Sequence, residues 1–119
     1  MSNETPRVFV PQIPSRRDSE SRIWVPTVNL KPAEEFGEVV TLLPPGSQFF
    51  AAKEMTRLIK QRLHDEGFRE IDYLLPLGSP TAMAVTAAVA ARRLNGRLNI
   101  LVWDGASQSY SAYELDNLI

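Results

Sequence analysis

The chain has no cysteine. This excludes disulfides, thiolate metal ligands and a cysteine nucleophile together. It has one histidine, His64, and no serine or cysteine motif to pair with it, so there is no case for a nucleophile–base triad. Neither G-x-G-x-x-G nor G-x-x-x-x-G-K-[ST] occurs, which leaves Rossmann dinucleotide binding and P-loop nucleotide binding without a fingerprint. No apolar run reaches the roughly 20 residues that a bilayer crossing needs. Met1–Val10 lacks the apolar core of a secretory signal. The expectation is a soluble, cytoplasmic protein with no membrane partner. An excess of one charge is also lacking: 13 Lys and Arg stand against 14 Asp and Glu, for a formal net charge of −1. No global positive field exists to attract nucleic acid. Nothing calls for a metal or a cofactor, and none is expected.

What is present is an ordinary globular composition. A length of 119 residues with 44% hydrophobic side chains fits one domain with its own core. Residues 1–38 differ from the rest. Arg7-Val8-Phe9-Val10 reads as a short strand. Pro11, Pro14, Pro26 and Pro32 then interrupt the chain too often for a long helix. Ser15–Arg22 is polar and of mixed charge, the composition of a solvated loop; a sharper reading makes Arg16, Arg17 and Arg22 a grip for an acidic partner. Ile23-Trp24-Val25 is placed to anchor this arm to the body. Lys31–Phe36 fits one helical turn closed by Gly37.

From residue 39 the pattern becomes regular, and 39–119 reads as a single α/β body on which the arm packs. Val39–Leu43 is an apolar strand, and Pro44-Pro45-Gly46 breaks it. Ser47 is expected to cap a helix running to about Glu66, with Ala51, Ala52, Met55, Leu58, Ile59 and Leu63 on one face and Gly67 as its stop. Ile71–Leu75 is the next strand. Ser79 then caps a second helix, Pro80 fits its first turn and Gly96 its end. Leu98–Trp103 is a third strand, and it turns through Asp104–Gln108 into a last one, Ser109–Leu115. Strands alternating with helices predict a parallel sheet with two crossover helices in a small three-layer arrangement. The final hairpin adds one antiparallel strand at an edge, and the N-terminal arm is extended.

The second helix carries more information. Thr81–Ala91 contains no charge, and Ala82, Ala84, Ala87, Ala88, Ala90 and Ala91 surround it. A helix without a polar face is expected to be covered on more than one side. The cover is either the arm or a second copy of the chain across Ala84, Ala87, Ala88 and Ala91.

Parallel topology gathers Pro44–Ser47, Gly78–Thr81 and Trp103–Gly105 at the carboxyl edge of the strands, where open α/β sheets bind ligands. Ser47, Gly78, Ser79, Thr81 and Asp104 are therefore the candidate ligand site, with helix N-termini suited to an anion. Capping and turn formation account for the same residue types. His64 near a helix C-terminus, the carboxylates Glu34, Glu35 and Glu38, and Arg92, Arg93 and Arg97 all have structural readings. Trp103, closing an apolar strand, reads as core or site wall. Tyr110 and Tyr113 fall on opposite faces of the last strand and cannot form one stacking platform. No catalytic residue emerges.

Arg7–Val10, Asn29–Gly37, Asp72–Ala82, Asn95-Gly96-Arg97 and Leu101–Asp104, followed by a tyrosine-bearing strand, together resemble a group of small uncharacterised proteins of tailed phages and prophages. The resemblance covers nearly the whole chain. It implies a phage setting, with the host cytoplasm as compartment, and no established activity. The group is expected to carry an acidic residue where this chain has Ser79; since both residue types cap helices, the exchange favours capping over chemistry. The expectation for function is a non-enzymatic accessory protein binding a phage or host macromolecule as a homo-oligomer, with Arg16, Arg17, Arg22, Trp24 and the alanine face as contacts. The alternative is a nucleotide or other anion at the strand edge. Nucleic acid is the weakest partner class.

Overall fold

The computed structural model describes residues 5–119. The reading of Met1–Val10 as free of a signal falls partly on residues 1–4, outside the described residues. In chain order the elements are β1 (Arg7–Val10), β2 (Ser15–Arg17), β3 (Trp24–Pro26), a 3-10 segment (Lys31–Phe36), β4 (Glu38–Thr41), a 3-10 turn (Ser47–Phe49), α1 (Ala52–Asp65), β5 (Tyr73–Leu74), α2 (Pro80–Arg93), β6 (Leu98–Asp104) and β7 (Ser109–Leu115). The main sheet has the order β4-β1-β5-β6-β7. β1 pairs parallel with β4 and with β5, β5 pairs parallel with β6, and β7 is antiparallel to β6. The chain is thus the mixed α/β protein expected, with two main helices and a C-terminal antiparallel hairpin. Among the described residues no helix is long and apolar enough to cross a membrane.

β1 lies inside this sheet, between β4 and β5. Val8, Phe9 and Val10 are fully buried, which explains a strand apolar on both faces. A body made of 39–119 alone would lack this interior strand. The crossovers from β4 to β5 and from β5 to β6 run in the same direction, and right-handed connections then put α1 and α2 on one face. There Met55, Ile59 and Leu63 of α1 and Ala82 and Ala90 of α2 pack with Phe9, Val40, Leu74 and Leu98. The small alanines let α2 lie close to both the sheet and α1. The opposite face is covered by the returning arm: Leu30, Ala33 and Phe36 pack over Val8, Val10, Leu75 and Leu101, and the Phe36 ring meets Tyr73 edge-on at 5.4 Å.

The arm is not wholly extended. β2 and β3 pair in an antiparallel hairpin. Its turn is held by Asp18, whose carboxylate accepts from the Ser21 N–H at 2.8 Å and from the Ser21 hydroxyl at 2.7 Å. Polar composition did not announce this hairpin because its ladder is backbone and most of its side chains face water. The returning arm also lies across the sheet from α2, so it does not cover the outer face of that helix.

The first long helix ends as its sequence predicts, and the second closes one residue before the glycine expected to end it. Gly67 takes a left-handed φ of 63°; its N–H bonds to His64 O and the Phe68 N–H to Leu63 O, a Schellman closure. At the end of α2 the left-handed position after the cap is Asn95, φ 59°, with Gly96 following and donating to Ala91 O at 2.7 Å. The start of α1 departs from expectation. It begins at Ala52 after Ala51, with no side-chain cap, and Ser47 sits in the separate 3-10 turn. Pro44, Pro45 and the left-handed Gly46 (φ 85°) hold the chain in a turn there, so the helical run is delayed by several residues.

The amino end of the sheet is fastened by Asp72. Its side chain is fully buried and accepts from the Arg7 N–H at 2.9 Å and the Arg69 N–H at 2.8 Å. The guanidinium groups of Arg7 and Arg69 stand 3.7 Å from its oxygens. Arg7 in turn lies 4.9 Å over the Phe9 ring and donates to Glu66 O beyond α1. Removing the charge from this buried network leaves four donors facing an amide. Asp72→Asn is expected to lower unfolding free energy by about 3 kcal/mol, read from urea titration with the slope unchanged.

Candidate functional site

Counted along the sheet strands alone, the order is 2-1-3-4-5. The connection direction reverses at β1, so the switch-point crevice lies outside the carboxyl ends of β1 and β5. A hollow of about 320 Å³ is there, and Gln12, Ser47, Gly78 and Ser79 are among its lining residues. Three of the sequence-predicted residues, Ser47, Gly78 and Ser79, are thus brought together. Thr81 and Asp104 do not line it. Asp104 belongs instead to the tip of the β6–β7 hairpin.

The residue that organises this edge is Gln12, which sequence reasoning passed over. It follows β1 after Pro11 and is only 7% exposed. Its backbone N–H donates to Leu77 O at 3.2 Å. Its side-chain carbonyl accepts the Ser79 N–H at 2.7 Å, and its side-chain amide donates to Ser47 Oγ at 2.6 Å. The ends of β1, β4 and β5 are fastened through one amide. Gly78 must be glycine for the same reason: φ is 118°, and a Cβ would stand 2.6 Å from the Gln12 Cβ. A Gln shortly after a strand, facing the G-S-P turn that follows the neighbouring strand β5, is the pattern that would have revealed it.

The helix start is occupied accordingly. Ser79 Oγ accepts from the Ala82 N–H at 3.2 Å, so Ser79 caps α2 as predicted. Pro80 has no N–H, the Met83 N–H bonds to Ser79 O, and the Ser79 N–H goes to Gln12. Of these donors an incoming anion would find Thr81 alone. Ser47 is fully buried beneath Gln12 and is not a helix cap.

The other expected contacts scatter. Arg16 and Arg17 are consecutive on β2, which directs them to opposite sides, and Arg17 Nε donates to Arg22 O at 3.2 Å. Trp24 does anchor the arm: it is half-buried, with its ring over Gly46, where a Cβ would come within 3.4 Å. On α2, Ala84 and Ala88 are exposed, Ala87 packs against the core and Ala91 is buried. The last of these is unavailable to any partner because α2 lies on the sheet along that side. Arg93 and Arg97 are engaged, Arg93 Nε with Phe68 O at 2.8 Å and Arg97 with Glu70 at 3.1 Å. His64 faces solvent. Among the described residues no group of three or more His, Asp or Glu side chains is placed to hold a metal ion.

The surface that composition did hide is the C-terminal hairpin. β6 pairs with β7 over seven residues, Leu98–Asp104 against Ser109–Leu115, but with β5 only through Asn99 and Ile100. The hairpin therefore outruns the sheet. Val102 is 40%, Trp103 45% and Tyr113 52% exposed; Trp103, read as core or site wall, stands outside because no strand or helix extends far enough to cover it. Trp103 packs edge-on against Tyr110 across the pair at 5.0 Å, while Tyr113 lies on the other face. Partial burial pushes the Tyr110 phenol up from 10.0. At the tip, Asp104 accepts from the Ser107 hydroxyl at 2.8 Å and the Ala106 N–H at 3.1 Å. These bonds, the hydroxyl first, hold its carboxyl below 3.8.

The fold and its carboxyl edge define a small doubly wound α/β protein whose switch-point crevice is bridged by one of its own side chains. Within that class the chain belongs to the phage Pam3 gp32-like protein family, whose family model matches residues 6–117. No curated protein and no solved structure matches it.

Gln12→Ala should lower stability by about 2 kcal/mol, since the Ser79 N–H and the buried Ser47 hydroxyl lose their partner. It should also free the helix start. Inorganic phosphate is then expected to raise the melting temperature of the variant and not of the parent protein. Asp104 titrates lower folded than unfolded, so its contribution is present above the ordinary carboxylate pKa and lost as pH falls through the folded one. On acidification the Ala106 amide resonance should shift with a midpoint below 3.8, the ordinary Asp value.

Proposed function

We propose that this phage protein is a non-enzymatic accessory factor that works in the host cytoplasm by binding a phage or host macromolecule, and that it does so as a homo-oligomer. The observation that carries this reading is the β6–β7 hairpin. β7 is the edge strand of the sheet, seven residues long, with Glu114 as its only charge and no proline. Natural edge strands are usually short, charged, bulged or covered, because an open row of N–H and C=O groups invites another strand. Here the open edge adjoins Val102, Trp103 and Tyr113, large apolar side chains that the chain itself leaves uncovered.

A second copy pairing antiparallel along β7 would continue the sheet across a two-fold axis, an isologous contact that closes on itself. The exposed stripe of Ala84 and Ala88 on α2 offers a flanking surface for the macromolecular partner, with the arm hairpin and its three arginines at the far side of the sheet. Support for the absence of catalysis comes from the crevice: its polar groups are spent on one another through Gln12.

Light scattering coupled to size exclusion tests the association. The parent protein should run as a dimer or a higher closed oligomer at micromolar concentration. Tyr113→Lys should shift it to monomer, with a change in unfolding free energy within about 0.5 kcal/mol as expected of a surface position. A parent protein that stays monomeric at high concentration overturns the oligomeric reading.

A further inference from the structure

At the edge of the sheet opposite β7 lies a second hollow, of about 500 Å³. It is bounded by the arm hairpin on one side and by α1 on the other, with the residues after β4 as its floor. Ile13, Trp24, Leu43, Phe50 and Leu58 give it apolar walls. Its polar lining side chains are the Ser15 and Thr41 hydroxyls and the Arg62 guanidinium, and no acidic residue lines it. Pockets of this size, largely apolar with few polar groups, are typical of small-molecule sites.

Two features show that the walls are built. The Trp24 ring packs against Gly46, so closely that a Cβ on that residue would stand in van der Waals contact with it, 3.4 Å from the ring. Arg62 is oriented by a hydrogen bond from Nη2 to Thr41 O at 3.1 Å. That same bond decides what kind of ligand fits. The Leu42 N–H donates to Val10 O, so the preceding Thr41 carbonyl points away from β1, toward the open edge. Arg62 occupies it, and an added β-strand would have to displace that bond. The remaining guanidinium nitrogens have no partner among the described residues, and they are the only charge in the hollow.

We infer that this hollow binds a small molecule with an apolar body and a single anionic head, the body lying against Trp24 and Leu58 and the head paired with Arg62. A carboxylate and a phosphate monoester share this chemistry; a planar carboxylate suits the guanidinium fork better. The inference is independent of self-association through β7.

The test uses the full chain carrying Trp103→Phe, which leaves Trp24 as its one tryptophan. Octanoate, octyl phosphate and 1-octanol are titrated against Trp24 fluorescence, with amide chemical shifts recorded in parallel. Octanoate should bind saturably, with shifts centred on Ser15, Trp24 and Leu43. Octanol should bind about tenfold more weakly, and Arg62→Gln should weaken octanoate by about tenfold while leaving octanol unchanged. Octyl phosphate binding more tightly than octanoate would assign the phosphate head. Leu58→Phe, which fills the body site and keeps Arg62, should also reduce octanoate binding; it guards against a folding defect from loss of the Thr41 bond. No saturable change, equal affinity for octanol and octanoate, or shifts confined to the β6–β7 hairpin would overturn the inference.

Discussion

A carboxylate buried at the amino end of a parallel sheet must be surrounded by donors or it will not stay charged and folded. Asp72 meets that demand by drawing in the backbone of Arg7 and Arg69 and both of their guanidinium groups. The consequence is positional. Arg7 begins β1 and Asp72 immediately precedes β5, so satisfying the carboxylate sets the two strands side by side in parallel. Arg7 then reaches past Phe9 to the carbonyl of Glu66 at the end of α1. One charge thereby ties the first strand, its neighbour and a crossover helix.

The carboxyl end of the same strands is fastened by a neutral group. Gln12 has one acceptor and two donor hydrogens on its side chain, and a backbone N–H; these meet Ser79, Ser47 and Leu77. In many doubly wound proteins that place is left for a ligand. Here an internal amide stands where a ligand's polar group would be received, and the glycine that gives phosphate-binding loops their close approach instead makes room for Gln12. The exposed chemistry of the chain has moved outward, to the two edges of the sheet.

Much of the architecture was legible in the sequence because it rests on local signals. Ser79-Pro80 starts α2 and Gly67 ends α1, since capping and left-handed turns depend on residues a few places apart. The alternation of strand and helix gave the parallel sheet. What escaped were the features set by distant partners. Ser47 looks like a cap, yet its hydroxyl belongs to Gln12, 35 residues away. Trp103 ends an apolar strand, yet its exposure depends on how short β5 is. The β2–β3 hairpin pairs Ser15-Arg16-Arg17 with Trp24-Val25-Pro26, runs of three residues too short to carry a strand pattern. The candidate site was half legible: the turns at Ser47 and Gly78-Ser79 do meet, and Asp104 lies elsewhere because β6 runs beyond the sheet before turning.

The interior place of β1 has a bearing on how the molecule comes into being. The first strand of the chain needs two neighbours, and its bond to Asp72 spans 65 residues. A chain shorter than about β5 can give it only β4, with one flank and the buried carboxylate's partners still missing. Closing so long a loop costs entropy before any contact repays it, which slows folding relative to helical proteins of the same size. The apolar segment Val8-Phe9-Val10 therefore waits with one flank open until β5 is made, and the proline at position 11 directly after it limits how far that waiting strand can extend its pairing with anything else.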